Sequence, residues 1–247
     1  MSLPEIFKPK KNFELIRFGR DNDGGYLVSK KTVLETKTLI SFGILDDCSF
    51  ENDFIKTNPI QVHCYDDTVN NSYWKKRFYN DLGASLYNLN WSFFKNTCIR
   101  YLEFKKFFKK KSNYLNIKKI ITGSVRKIIK HNDFMSPLFF KIDIEGSEYR
   151  ILDELIEFQD LLCGLAVEFH DLDLNLYKVE NFIKNFNLSL THIHPNNYGF
   201  IDSRNIPSVL EMTFEKNPAE SNENLIFPNK LDQPNDPKNK DIKLTFK

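Results

Sequence analysis

Pro137-Leu-Phe-Phe-Lys-Ile-Asp-Ile-Glu-Gly-Ser-Glu-Tyr-Arg150 decides how the chain is read. Its apolar run reaches Asp143 and Glu145 and stops at Gly146. Beyond it, Leu152, Leu155 and Ile156 share one face of a helix expected over 147–158. The pattern is strand, tight turn, helix. Carboxylates at the end of a buried strand are costly without partners, and open α/β sheets bind ligands at that end. Asp143 and Glu145 are therefore candidate site residues, with Glu145 facing a substrate or serving the helix start.

Working outward, Cys163 to Asp173 reads as a buried strand with Leu165, Val167 and Phe169 on one face and Ala166, Glu168 and His170 on the other. Val179, Phe182, Ile183 and Phe186 follow at helical spacing. Leu188 to His194 alternates and puts His192 and His194 on one face, next to Asn196 and Asn197; Pro207 to Phe214 is a last core strand. Upstream, Thr38 to Phe54 reads as a strand, a loop opened by Gly43 and the start of a helix. With one glycine, the loop is neither GxGxxG nor a P-loop. Ile60 to Asp67 is a second strand ending in Asp66 and Asp67, which either begin a solvated loop or offer a carboxylate that accepts hydrogen bonds from a vicinal diol.

Residues 13–29 form a hairpin around Asn22-Asp23-Gly24-Gly25, which is a plain turn or brings Arg17, Asp23 and Tyr26 to a wall of the site. Between 93 and 111, phenylalanines interleave with lysines, which reads either as a basic aromatic patch for nucleic acid or phosphate or, the expectation taken here, as a helix with a buried aromatic face and a solvated lysine face. Ile117 to Ile129 reads as β-type sequence around Gly123-Ser124.

The 247 residues suit one main domain over 1–214 with a polar, Pro- and Asn-rich extension over 215–247, where Ile242, Leu244 and Phe246 alternate as an edge strand would. Lys+Arg 35 against Asp+Glu 33 leaves a net charge of +2, from which neither nucleic acid nor an anionic membrane is expected as a partner; any anion-binding is local. No apolar run approaches the ~20 residues that span a bilayer, so no stable membrane insertion and a cytoplasmic location are expected. Cys48, Cys64, Cys98 and Cys163 lack the spacing of a zinc site or a disulfide framework.

Lys141 to Glu148 resembles the K-[IV]-D-[IV]-E-G-x-E signature of the FkbM-type methyltransferases, a branch of the class I S-adenosylmethionine-dependent enzymes. The resemblance implies a Rossmann-like α/β fold: seven strands, mostly parallel, with helices on both faces and one antiparallel strand near the C-terminus. It also implies that Gly43, Asp46 and Asp47 border S-adenosylmethionine, that Asp66 or Asp67 takes its ribose hydroxyls, and that Asp143 sits near the methionine moiety or the reacting hydroxyl. The implied reaction is O-methylation of a sugar, nucleotide-activated or polysaccharide-linked. Arg17, Tyr26, Glu145 and Asn196 are the candidate substrate contacts. The first loop, Gly43-Ile-Leu-Asp-Asp, has fewer glycines than that family often shows.

The chemistry follows independently of the name. An alcohol attacks a sulfonium only when positioned in line and relieved of its proton. His170 or His194 suits the base, since an unperturbed imidazole titrates near pH ~6.5; alternatively Asp143, Glu168 and His170 hold Mg²⁺ or Mn²⁺ that acidifies the hydroxyl. A non-catalytic Rossmann-like binding module, or a methyltransferase on a non-sugar molecule or nucleic acid, are the competing readings.

Overall fold

The computed structural model describes residues 2–247. After β1 (Ser2–Leu3) and the hairpin of β2 (Leu15–Gly19) and β3 (Gly25–Ser29), strands and helices alternate. They are α1 (Lys30–Glu35), β4 (Thr38–Phe42), α2 (Ser49–Thr57), β5 (Gln61–Tyr65), α3 (Asn71–Tyr87), α4 (Ser92–Phe108), β6 (Asn113–Asn116), α5 (Ser124–His131) and β7 (Leu138–Ile142). The second half holds α6 (Leu152–Glu157), β8 (Leu162–Phe169), α7 (Leu172–Asn185), β9 (Ser189–Pro195), β10 (Leu210–Glu215) and β11 (Thr245–Phe246).

Seven of these strands form one sheet in the order β6-β5-β4-β7-β8-β10-β9, in which only β10 runs antiparallel to its neighbours. This is the expected mixed α/β architecture with helices on both faces. The central strands are buried on both sides because alternate residues enter different cores. Ile40, Phe42, Phe140, Ile142, Leu165 and Val167 fill one. Leu39, Phe139 and Ala166 meet Phe50 and Phe54 in the other. Burying Phe139 and Phe140, both fully enclosed, stabilises the sheet by roughly 2–3 kcal/mol each. Strand order reverses between β4 and β7, paired from Thr38–Leu138 to Phe42–Ile142, so the loops leaving their carboxyl ends diverge and open a crevice.

Two segments depart from the expectations, while the Phe/Lys-rich stretch is helical with its lysines in solvent, as expected. Residues 117–129 are not β-type: Val125, Ile128 and Ile129 recur at helical spacing and pack α5 on the sheet, while the strand is the more polar Asn113–Asn116. Glu148–Arg150 is a 3₁₀ turn, and the following helix begins only at Leu152. Residues 71–108 form an antiparallel pair, α3 and α4; α4 buries Phe104 and Phe107 and turns Lys105 and Lys106 to solvent.

The extension after Glu215 is held by polar contacts more than by apolar packing. Asp232 meets His192 (2.8 Å), Asp241 meets His194 (3.0 Å), and Asn197 donates to the Asp236 carbonyl (3.0 Å). β11 pairs in parallel with β1. The four cysteines are free, with Cys48, Cys64 and Cys163 buried. Among the described residues no helix is long and apolar enough to cross a membrane.

Candidate active site

Gly43 makes the crevice. It adopts φ +71°, and a Cβ there would lie 1.5 Å from the carbonyl oxygen of Asp143, so only glycine lets the two strand ends touch. Asp143 N–H donates to the Phe42 carbonyl (3.0 Å), tying the β7 end to β4. The next two loop amides, Ile44 and Leu45, donate to Asp66 Oδ2 (3.0 and 2.8 Å). Asp66 Oδ1 accepts from the amide and hydroxyl of Thr68 (2.7 and 2.6 Å). Asp66 therefore spends both oxygens on shaping loops, whereas its exposed neighbour Asp67 makes no hydrogen bond among the described residues. Asp46 is buried between Arg77 and Arg100, and Asp47 pairs with Arg20 at 2.9 Å. These loops, with Arg100, Lys118, Lys119, Asp143 and Glu145, enclose a cavity of about 530 Å³, a volume suited to a small-molecule ligand.

At the β7 end of the cavity a buried lysine meets a row of acids. Lys141 Nζ donates to the Gly43 carbonyl (2.7 Å) and to Asp143 Oδ2 (3.2 Å). Burial disfavours its charge, but Asp143 and Glu51 outweigh this and hold its pKa above the ordinary value. His170 stands behind Asp143, with Nε2 4.0 Å from Asp143 Oδ1 and 3.3 Å from Glu145 Oε2. Its Nδ1 bonds Glu148 Oε1 at 3.1 Å. Glu148 is fully buried and also accepts the amides of Ile144 and Gly146 (3.1 and 3.2 Å), so one carboxylate fixes both the turn and the imidazole. Burial lowers the His170 pKa, yet the Glu148 hydrogen bond and the charges of Glu168, Glu148 and Asp143 overcome it and raise it to about 9. His170 is thus an imidazolium at neutral pH, which corrects the expectation of an imidazole near its ordinary value.

Glu168 accepts from Tyr26 Oη (3.3 Å) and Asn196 Nδ2 (2.8 Å). Burial first, then the charges of Asp143 and Glu211, push its carboxyl well above the usual range. Asp143, Glu168 and His170 each offer an atom within 4.8 Å of the others.

Other expected residues lie elsewhere. His194 is two strands away and not in this cluster: Nδ1 faces Glu211 (3.2 Å) and Nε2 faces Asp241 (3.0 Å). Both ring nitrogens are occupied and the ring is buried, so His194 braces the extension. Arg17 donates to the carbonyls of Arg20 and Asn22 and shapes its own turn. Tyr26 and Asn196 reach the cluster through hydrogen bonds to Glu168, and the Tyr26 ring also lies 5.7 Å from Lys141 Nζ. Sequence reasoning assigned no role to Lys141, Glu148, Arg20 or Arg100. Lys141 and Glu148 belong to the quoted motif, and Lys141 carried a signal, lying two residues before Asp143 on the same strand face.

His194 gives a test of this partition. Burial depresses its pKa, but Asp241 and Glu211 prevail and raise it to about 10. Because the folded value lies above the unfolded one of ~6.5, its stabilisation is complete below pH ~6.5 and is lost as pH rises through about 10. His194→Ala is expected to melt well below the parent at pH 6, with the gap narrowing toward pH 10. A pH-independent gap would refute the assignment.

No protein-family model and no curated protein matches the sequence. Among solved structures, the chain is similar to the 23S rRNA methyltransferase ErmE, at 9% identity and TM-score 0.44, over 84% of this chain and 72% of that one. It is similar to spermidine synthase from Thermotoga maritima, at 10% identity and TM-score 0.42, over 76% and 56%. An rRNA methylase from Streptococcus thermophilus matches at 10% identity and TM-score 0.38, over 75% and 93%. The chain has a Rossmann-like α/β fold; the resemblance to the FkbM-type methyltransferases rests on the motif alone. One expectation is corrected here. The exclusion of nucleic acid does not stand, since residues 104–132 hold ten Lys and Arg and no Asp or Glu, a concentration that the net charge of +2 does not show. The physical flaw is that net charge was averaged over the whole chain.

Proposed function

We propose that the chain is an S-adenosylmethionine-dependent O-methyltransferase acting on a sugar hydroxyl. The observation that carries this reading is the Asp143–Glu168–His170 cluster, of which Asp143 lines the Gly43 cavity, together with the motif resemblance. The cofactor would occupy the cavity along Gly43–Asp47, with Asp67 the carboxylate free to accept from its ribose, and the acceptor would lie against Asp143 and Glu145. The hydroxyl oxygen attacks the sulfonium methyl group; the O–C bond forms as the S–C bond breaks, leaving the neutral thioether. His170 Nε2, once deprotonated, takes the hydroxyl proton. Glu148 holds the imidazole, and Asp143 aligns the hydroxyl and faces the cation that results.

This assignment makes the reaction faster in alkali. With His170 held protonated to about 9, log kcat/KM is expected to rise by about one per pH unit through neutrality and level off near that value. A screen of labelled S-adenosylmethionine against nucleotide sugars and oligosaccharides from pH 6 to 10 tests both points. His170→Ala should lie roughly 100-fold or more below the parent at the plateau. Transfer to no saccharide, with no calorimetric heat for the cofactor, would sink the reading.

The spacing of Asp143, Glu168 and His170 also favours a second reading, metal assistance. The donor set of two carboxylates and an imidazole whose other nitrogen is held by a buried glutamate fits a divalent cation. Bound there, the cation would acidify the acceptor hydroxyl. Activity lost to a chelator and restored by Mg²⁺ or Mn²⁺ would replace the metal-free reading.

A further inference from the structure

Residues 104–132 hold ten of the chain's 35 Lys and Arg and none of its 33 Asp and Glu, leaving 25 basic residues against 33 acidic ones elsewhere. The net charge of +2 therefore hides a strongly positive face on an otherwise acidic protein. All ten side chains are exposed. Among the described residues, only Arg126 of the ten has an acidic partner, Glu157. The rest are Lys105, Lys106, Lys109–Lys111, Lys118, Lys119, Lys127 and Lys130.

They wrap the β6 edge of the sheet, from α4 on one face to α5 on the other. They follow the end of α4, flank the edge strand β6 and run along α5, and Lys118 and Lys119 line the same cavity as Asp143. Tyr114, on β6, is 42% exposed and stacked on His63 at 4.4 Å, so a rigid aromatic ring stands within the basic run.

We propose that this face is a track for single-stranded RNA that leads a ribose hydroxyl to the cavity. The proposal of RNA as acceptor rests on the O-methyltransferase reading; the binding surface does not. Unpaired lysines neutralise a phosphodiester backbone, and an exposed ring offers a base a stacking surface. RNA is favoured over a lipid surface because the larger cluster of exposed apolar side chains lies elsewhere, and within the run only Ile117, Ile121 and Tyr114 are large, apolar and exposed. Leu86, Tyr87, Leu89 and Trp91 cluster at the α3–α4 turn. That turn is at the opposite end of α4 from Lys105–Lys111, about 25 Å away along the helix. A bilayer anchor needs basic and apolar groups in one plane.

Fluorescence anisotropy with a labelled twenty-nucleotide oligouridylate tests the surface in the intact chain. Binding is expected to weaken roughly 100-fold between 50 and 200 mM salt. The triple variant Lys109→Ala/Lys110→Ala/Lys111→Ala and the pair Lys127→Ala/Lys130→Ala should each weaken it about tenfold or more and flatten the salt dependence. Lys10→Ala/Lys240→Ala/Lys243→Ala should leave it unchanged, and unaltered melting curves would show that all variants fold. Equal binding by parent and track variants would overturn the proposal, as would binding to phosphatidylserine vesicles without binding to RNA. Single-stranded DNA of matching sequence should bind but accept no methyl group at the missing 2′-hydroxyl; methyl transfer to saccharides without RNA binding would overturn the track while leaving the O-methyltransferase reading. RNA binding that the track variants abolish, without methyl transfer to any acceptor, would do the reverse.

Discussion

Gly43→Ala is expected to lower stability by roughly 3–5 kcal/mol, since it combines a strained backbone with a clash that no side chain can relieve. The contact is backbone to backbone: the new methyl group would sit 1.5 Å from the Asp143 carbonyl oxygen, at a φ of +71°. Relief requires β4 and β7 to part at their carboxyl ends, which opens the floor of the cavity and displaces Lys141, whose ammonium bonds the Gly43 carbonyl. For a chain of this size the melting temperature should fall by about 10 °C. Calorimetry should also register loss of cofactor binding. A variant melting within about 3 °C of the parent would show that the strand ends do not approach so closely.

Asp143→Asn is expected to reduce kcat by about 1,000-fold while leaving cofactor affinity within a few-fold. The amide keeps the shape and removes the charge between two cations, Lys141 at 3.2 Å and His170 at 4.0 Å. The acceptor then loses the group that orients its hydroxyl, and the imidazolium formed on proton transfer loses one of the carboxylates that face it. Single-turnover methyl transfer beside calorimetric titration of S-adenosylmethionine separates the two effects. A kcat within about threefold of the parent would remove Asp143 from the chemistry.

The core of the fold was legible because its strands are buried on both faces. Leu138–Ile142 and Leu162–Phe169 read as apolar runs with few alternatives. Helix α5 was not, because Val125, Ile128 and Ile129 are β-prone residues and only their spacing gives the helix away. In the site, Asp143, Gly43 and His170 were visible as strand-end residues. His194 looked equivalent, and nothing local distinguishes it. What sets it apart is Asp241, which comes from a segment 47 residues later. Asp66 and Asp67 were likewise interchangeable until the amides of Ile44 and Leu45 singled out Asp66. The basic face was printed in the sequence throughout, but a whole-chain sum cannot report how charge is distributed.

Asp46 joins parts that sequence keeps far apart. It sits in the loop opened by Gly43, and Arg77 of α3 and Arg100 of α4 both close on it. The helical pair and the cavity rim thereby form a single mechanical lever with one ionic fulcrum. A ligand that entered by displacing this loop would carry both helices with it or break two partly buried ion pairs. The cost falls on the rate of exchange rather than on the bound state, so the residence time of a ligand would be set by a carboxylate that need never touch it.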